Sequence, residues 1–143
     1  MSDLSQPPIG WTAVGRTENT RYFHAEPDIL FVVPDDGMRD DGPSAEANAE
    51  FQIAFAQNLG RRVAVVVRMT SLRSQDAAAR RVYAERMTLD HFYAAALVAA
   101  SPISRAIASF FLGLTQPRFP TRVHESYDAA VAWIGTVRGP SPS

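Results

Sequence analysis

The chain has no cysteine, which excludes disulfides, a thiolate nucleophile and Cys-ligated zinc or iron–sulfur centres. It has no lysine either, all 14 basic residues being arginine, so the phosphate loop GxxxxGK[ST] cannot occur. The eight glycines are too dispersed for GxGxxG. Neither sign of charge prevails: 14 basic against 15 acidic residues leave a formal net charge of -1, so no global field draws the chain to nucleic acid or to an anionic membrane. His24, His91 and His124 stand far apart, outside HExxH or any comparable ligand spacing, and no GxSxG nucleophile turn occurs. The expectation is a protein that is not an enzyme and needs no cofactor and no metal. The first residues lack the basic start and apolar run of a secretory signal, which with the missing cysteine suggests a cytoplasmic location. The most apolar stretch, residues 92–114, is broken by Ser101-Pro102 and Arg105, so it reads as a buried strand followed by a helix and not as a membrane span.

What is present suits one α/β domain. Of 143 residues, 46% are hydrophobic, enough for a core of its own. Residues 1–14 and 138–143 are rich in Pro, Ser and Gly without apolar period, and are expected to be flexible ends around a domain at 15–137. Arg21-Tyr22-Phe23-His24 and Asp28-Ile29-Leu30-Phe31-Val32-Val33, separated by Ala25-Glu26-Pro27, predict an antiparallel hairpin. Residues 38–42 read as an acidic turn. Pro43-Ser44-Ala45-Glu46 opens an Ala-rich helix carrying Phe51, Phe55 and Leu59, with Gly60 as its stop. Val63-Ala64-Val65-Val66-Val67 is the pattern of a central strand covered on both faces. After a turn at residues 70–74, Asp76 caps a second helix with Ala79, Val82 and Tyr83 as its inner face. A buried strand at 92–99, a greasy third helix begun by Ser101-Pro102, an edge strand Thr121-Arg122-Val123-His124 and a last helix with Val131, Trp133 and Ile134 complete the order β-β-α-β-α-β-α-β-α.

Three features invite a functional reading, each beside a plainer one. Asp35-Asp36 with Asp40-Asp41 lacks the ligand order of a calcium loop and reads as a solvated acidic loop before a helix. His24 and His124 both fall near strand ends, where they are either spatial neighbours or separate structural residues. Arg61, Arg62, Arg68 and Arg73 around the central strand, and Arg118 with Arg122 near the Pro-rich loop, either solubilise strand ends or ring a phosphate or acidic surface. The third helix is the most informative element. Ile103, Ala106, Ile107, Phe110, Phe111 and Leu114 cover more than one face, so part of it is available for contact with a partner or a second copy near Phe111 and Phe119.

The block Ser101-Pro102-Ile103-Ser104-Arg105, Phe110-Phe111-Leu112-Gly113-Leu114 and Pro117-Arg118-Phe119-Pro120-Thr121-Arg122 resembles small bacterial proteins grouped as STAS-like or SpoIIAA-like, a family without established biochemical function. The strand at Val63, Leu72-Arg73, Ala79-Arg80 and the helix around Trp133 extend the likeness over most of the domain. The resemblance implies a SpoIIAA-like (STAS-like) mixed sheet flanked by helices. By analogy with anti-sigma-factor antagonists, it also implies a signalling role by docking to another protein. Those antagonists are switched by phosphorylating a serine at the start of the helix after the central strand. Here that position falls on Asp76, Ala77 and Ala78, which leaves no hydroxyl, and Ser74 substitutes only if the register slips. The expected partner surface is therefore Ser71, Arg73, Ser74, Asp76, Phe111 and Phe119. An alternative is a pocket for a small anionic or lipid-like ligand lined by Arg68, Arg118 and Arg122.

Overall fold

The computed structural model describes residues 10–70, 72–115 and 117–138; of residues 72, 73, 111 and 115 it describes the backbone alone. In chain order the elements are β1 (Thr12–Arg16), β2 (Thr20–Ala25), β3 (Ile29–Pro34), β4 (Met38–Asp40), α1 (Gly42–Leu59), β5 (Val63–Arg68), β6 (Leu72–Gln75), α2 (Ala77–Arg86), β7 (Phe92–Val98), α3 (Pro102–Thr115), β8 (Thr121–His124) and α4 (Tyr127–Arg138). Six strands form one mixed sheet in the order β1-β2-β3-β5-β7-β8. The β1-β2-β3 meander is antiparallel, and β3, β5, β7 and β8 run parallel. A mixed sheet flanked by four helices is thus the architecture.

The valine run of β5 lies in the middle of this sheet, and Val63, Ala64, Val65 and Val66 are all buried. A strand covered on both faces needs no alternation, which is why its sequence shows none. Its register with β3 and β7 aligns Phe31, Val66 and Ala96 in one row. The adjacent row, pointing to the other face, is Val32, Val67 and Leu97. The first row meets α4, whose Tyr127, Ala130 and Ile134 are buried against it. The second row faces α1, Phe119 and Met87.

Helix boundaries follow local chemistry. Asp41 caps α1, accepting the Ser44 N–H at 2.9 Å while the Ser44 hydroxyl accepts the Asp41 N–H at 2.9 Å. Gly60 ends α1 in the left-handed conformation at φ 77°. Asp76 caps α2 through the Ala79 N–H at 2.8 Å, and Ser101 caps α3 through the Ser104 N–H at 3.0 Å.

Three strands depart from the expected order. β1 begins at Thr12, inside the segment expected to be flexible up to residue 14. All five of its residues are exposed, so it has no apolar alternation to read. It is held by backbone pairing with β2 and by Trp11, which meets the Phe31 ring edge-on at 4.6 Å. Gly15 sits at a bulge with φ 149°, where an added Cβ would stand 3.0 Å from the Phe51 ring. The other two, β4 and β6, fall where turns were expected and pair in parallel as a separate two-stranded sheet. They are three and four residues long, too short to show a period. At the other end α4 continues to Arg138, one residue past the expected boundary, because Arg138 donates to the buried Asp28 carboxylate at 2.9 Å.

Candidate functional site

Between the β3-β5-β7 face and the layer made by α1, α2, α3 and the β4-β6 ribbon lies a cavity of about 160 Å³. Its floor is the aliphatic row Val32, Val65, Val67, Ala95 and Leu97. Met38, Met87, Leu112, Pro117 and Phe119 cover it. The remaining wall is polar, made of Thr20, Asp40, Asn48, Gln52, Gln75 and Tyr83.

The cavity exists because α1 turns small and polar residues inward. Its buried line is Ala45, Asn48, Ala49, Gln52 and Ala56. Phe51, Phe55 and Leu59, the apolar residues expected at helical spacing, flank this line and are only partly buried. Phe51 instead stacks on Tyr22 at 4.1 Å, and Phe55 meets His24 edge-on at 5.1 Å. Short side chains leave space between helix and sheet that the sheet's own residues do not fill.

The polar wall is a connected network. The Asn48 side-chain oxygen accepts the Tyr22 hydroxyl at 2.7 Å and the Thr17 hydroxyl at 2.6 Å, while its amide donates to Asn19 at 3.0 Å. Asp40 accepts the Tyr83 hydroxyl at 2.6 Å and the Ser44 hydroxyl at 2.6 Å on its two oxygens. Burial drives the Asp40 pKa above its ordinary value, Asp41 adds to the rise, and the hydrogen bonds from Ser44, Tyr83 and Gln75 oppose it. Burial likewise pushes the Tyr22 and Tyr83 phenols well above the usual range, with the Asp40 charge adding to both. Both therefore act as hydrogen-bond donors at neutral pH. No histidine lines this wall, and among the described residues no group of three or more His, Cys, Asp or Glu side chains is placed to hold a metal ion.

The four acids read as one solvated loop are four separate pieces. Asp35 pairs with Arg16 at 2.7 Å, and Asp36 with Arg68 at 3.4 Å. Asp41 caps α1. Asp40 is only 4% exposed, contrary to the expectation of a solvated side chain, because β4 and β6 turn it under Tyr83.

The predicted arginine ring does not form. Arg68 is buried with its guanidinium on the Pro34 carbonyl at 3.0 Å. Arg122 lies over the Trp133 ring at 5.8 Å, on the α4 side of the sheet. Arg118 donates to the Ala84 carbonyl at 3.1 Å. None of the three lines the cavity. Strand alternation sends Arg122 and Thr121 to opposite faces, and only Thr121 points into the cavity. His24 and His124 are also parted, on β2 and β8 with three strands between them. His124 packs on Trp133 at 5.3 Å, and its pKa is lowered by burial and by Arg122.

Of the predicted partner surface, Ser71 and the side chains of Arg73 and Phe111 lie outside the described residues. Ser74 is exposed on β6, while Asp76 is occupied as the α2 cap. Phe119 is 8% exposed and covers the cavity, so it is part of the core and not of a contact surface. Its ring leans against the buried Phe92 at 6.1 Å.

The third helix does present an apolar face. Ile103 is 76% exposed, Phe110 64%, Ile107 48% and Leu114 47%. Ala108 is its one fully buried side chain among the described residues. No helix among the described residues is long and apolar enough to cross a membrane.

A second polar cluster sits at the opposite end of the sheet. Asp28, 1% exposed, pairs with Arg138 at 2.9 Å and Arg61 at 3.0 Å and accepts the Tyr93 hydroxyl at 2.9 Å. Burial and the Asp28 charge push the Tyr93 phenol up to about 12. This cluster ties the end of α4 to the start of β3 and the loop before β5.

Asp40, Asn48, Gln52 and the methionines went unrecognised as site residues. The legible signal was the Ala-Asn-Ala-Gln line at helical spacing on α1, which marks a helix face too small and too polar to fill its own contact. Neither the comparison with curated proteins nor that with solved structures yields a match. A family model does match, over residues 23–138, a span that holds every cavity-lining residue except Thr20. The chain belongs to the family described as a domain of unknown function, DUF7793.

Proposed function

We propose that this chain is a non-catalytic protein-interaction module that docks through α3, and that the surface it meets is α3 of a second copy. The observation that carries this reading is the exposed line Ile103, Ile107, Phe110 and Leu114, spaced four, three and four residues apart. That is the seam period of paired helices, whose natural complement is another helix of the same period. Ala106, Ser109 and Gly113 alternate with the large residues along the exposed side and permit close approach. The single charge on α3, Arg105, is turned back to the Ala100 carbonyl at 3.1 Å, so two copies bring no opposed charges together along the seam. The STAS-like resemblance supports docking as the mode of action, with the α3 face in place of the turn before α2.

Fourteen residues span roughly 21 Å of helix. Such a seam falls below the roughly 800 Å² per partner of a standard interface, so the dimer is weak and forms in the micromolar range or above. Sedimentation velocity from about 1 to 300 µM tests it. A monomer–dimer equilibrium that Phe110→Glu abolishes, with the circular dichroism melt unchanged, is the expected result. A chain that stays monomeric across this range overturns the reading.

A further inference from the structure

The cavity beneath α1, α2 and α3 is built from two kinds of surface, and together they specify a ligand. Every methionine after Met1 lines it, Met38, Met69 and Met87, with the aliphatic floor on the other side. Thioethers adapt to irregular apolar shapes, so this lining suits a hydrocarbon or an aromatic ring. Its volume, about 160 Å³, is close to that of an engineered apolar cavity of about 150 Å³ that holds benzene. A molecule of some six to ten heavy atoms is the size that fits.

The electrostatics of the wall are one-sided. Among the described residues Asp40 is its only acid, and no arginine lines the cavity. Among the described residues Asp40 forms no ion pair, in contrast to Asp28, which is held by two arginines. Among the described residues the charged neighbour that acts on Asp40 is another acid, Asp41. Buried carboxylates are ordinarily paired with a cation, because transfer out of water costs several kcal/mol per ion. The hydroxyls of Tyr83 and Ser44 supply hydrogen bonds but no countercharge.

We infer that the cavity is a binding site for a small apolar amine, whose hydrocarbon part lies among the methionines and whose ammonium group meets the Asp40 carboxylate. The ammonium supplies a positive charge that no described residue gives Asp40 and that two arginines give Asp28. Anions are rejected by the same carboxylate, which sets this site apart from an arginine-lined pocket. The inference does not depend on α3 pairing, since the residues concerned face the interior.

Three probes of similar size and opposite or no charge test it: benzylamine, benzyl alcohol and benzoate. Methyl NMR of the methionines reads the cavity directly, with Met38, Met69 and Met87 as reporters. The expected result is saturable shifts at these methyls with benzylamine, at least about tenfold tighter than with benzyl alcohol, and none with benzoate. Asp40→Asn should weaken benzylamine by about tenfold or more while leaving benzyl alcohol within about twofold. Ala95→Leu, which fills the floor and leaves Asp40 in place, should abolish both. The ranking in the unmodified chain needs no variant, so it decides even where Asp40→Asn fails to fold. Benzyl alcohol or benzoate binding as tightly as benzylamine, an amine affinity unchanged in Asp40→Asn, or no methyl shift with any probe at about 10 mM overturns the inference.

Discussion

The two faces of the central sheet are made from the same strands and yet are finished differently. On one face α4 and Trp11 close over Phe31, which meets the rings of Trp11 and Tyr127 edge-on, each at 4.6 Å. Alanines at 94 and 96 let α4 sit close, and none of the buried residues of this group lines the cavity on the other face. On the other face three helices cover the strands, the alanine line of α1 stands back, and space remains beside a buried carboxylate. One side serves stability, and the other leaves room. The contrast arises from both layers: the strands bring Phe31 to the closed face and only aliphatic residues to the cavity floor, and α1 turns alanine, asparagine and glutamine inward where α4 brings Tyr127 and Ile134.

Breaking the closed face should cost most. Phe31→Ala removes a fully buried ring from the aromatic cluster, and urea unfolding is expected to show a loss of about 3–5 kcal/mol. Asp28→Ala, which leaves Arg138 and Arg61 unpaired beneath that face, should cost about 2–4 kcal/mol in the same measurement, less than a fully buried pair because Arg61 is half exposed.

A sharper form of the comparison uses neighbouring alanines of β7. Ala96 belongs to the closed face and Ala95 to the cavity floor. Ala96→Leu overpacks and should destabilise by about 1–3 kcal/mol, whereas Ala95→Leu enters existing space and should stay within about 1 kcal/mol of the parent. Equal losses in the two variants would show that the faces do not differ in packing.

The smallest effect is electrostatic. Asp40 has a folded pKa above the ordinary 3.8, so the folded chain holds that proton longer than the unfolded one. Its contribution to stability therefore falls as pH rises from about 3.8 through the folded value, then stays level. Asp40→Asn removes the titration. The stability of the variant relative to the parent should increase over that window in melts taken at a series of pH values. A difference that does not change with pH would show that Asp40 is not desolvated.

Legibility varied with how much of the physics was local. The valine run of β5 declared itself because a strand covered on both faces must be apolar throughout. The caps Asp76, Ser101 and Gly60 were legible because a helix end is satisfied by residues within four positions of it. β1 was not, since an edge strand exposed along its length carries no pattern and is fixed by its partner. β4 and β6 escaped for a related reason: they pair with each other across α1 and β5, and neither has more than four residues. The candidate site was the least legible part. Phe119 reads as a surface aromatic and is buried, and Asp40 reads as solvated and is buried. The arginines that suggested a pocket are spread over two faces.

By itself the sequence determined the mixed α/β class, the central strand, the ends of the helices and the apolar excess of α3, all properties set by side-chain period and by neighbours in the chain. Only the tertiary structure decided that a carboxylate from a three-residue strand lies in a cavity with three methionines, and that the arginines do not. The physical reason is that a cavity is a mismatch between two surfaces. It depends on how far one element stands from another, and that distance is set by residues far apart in the chain.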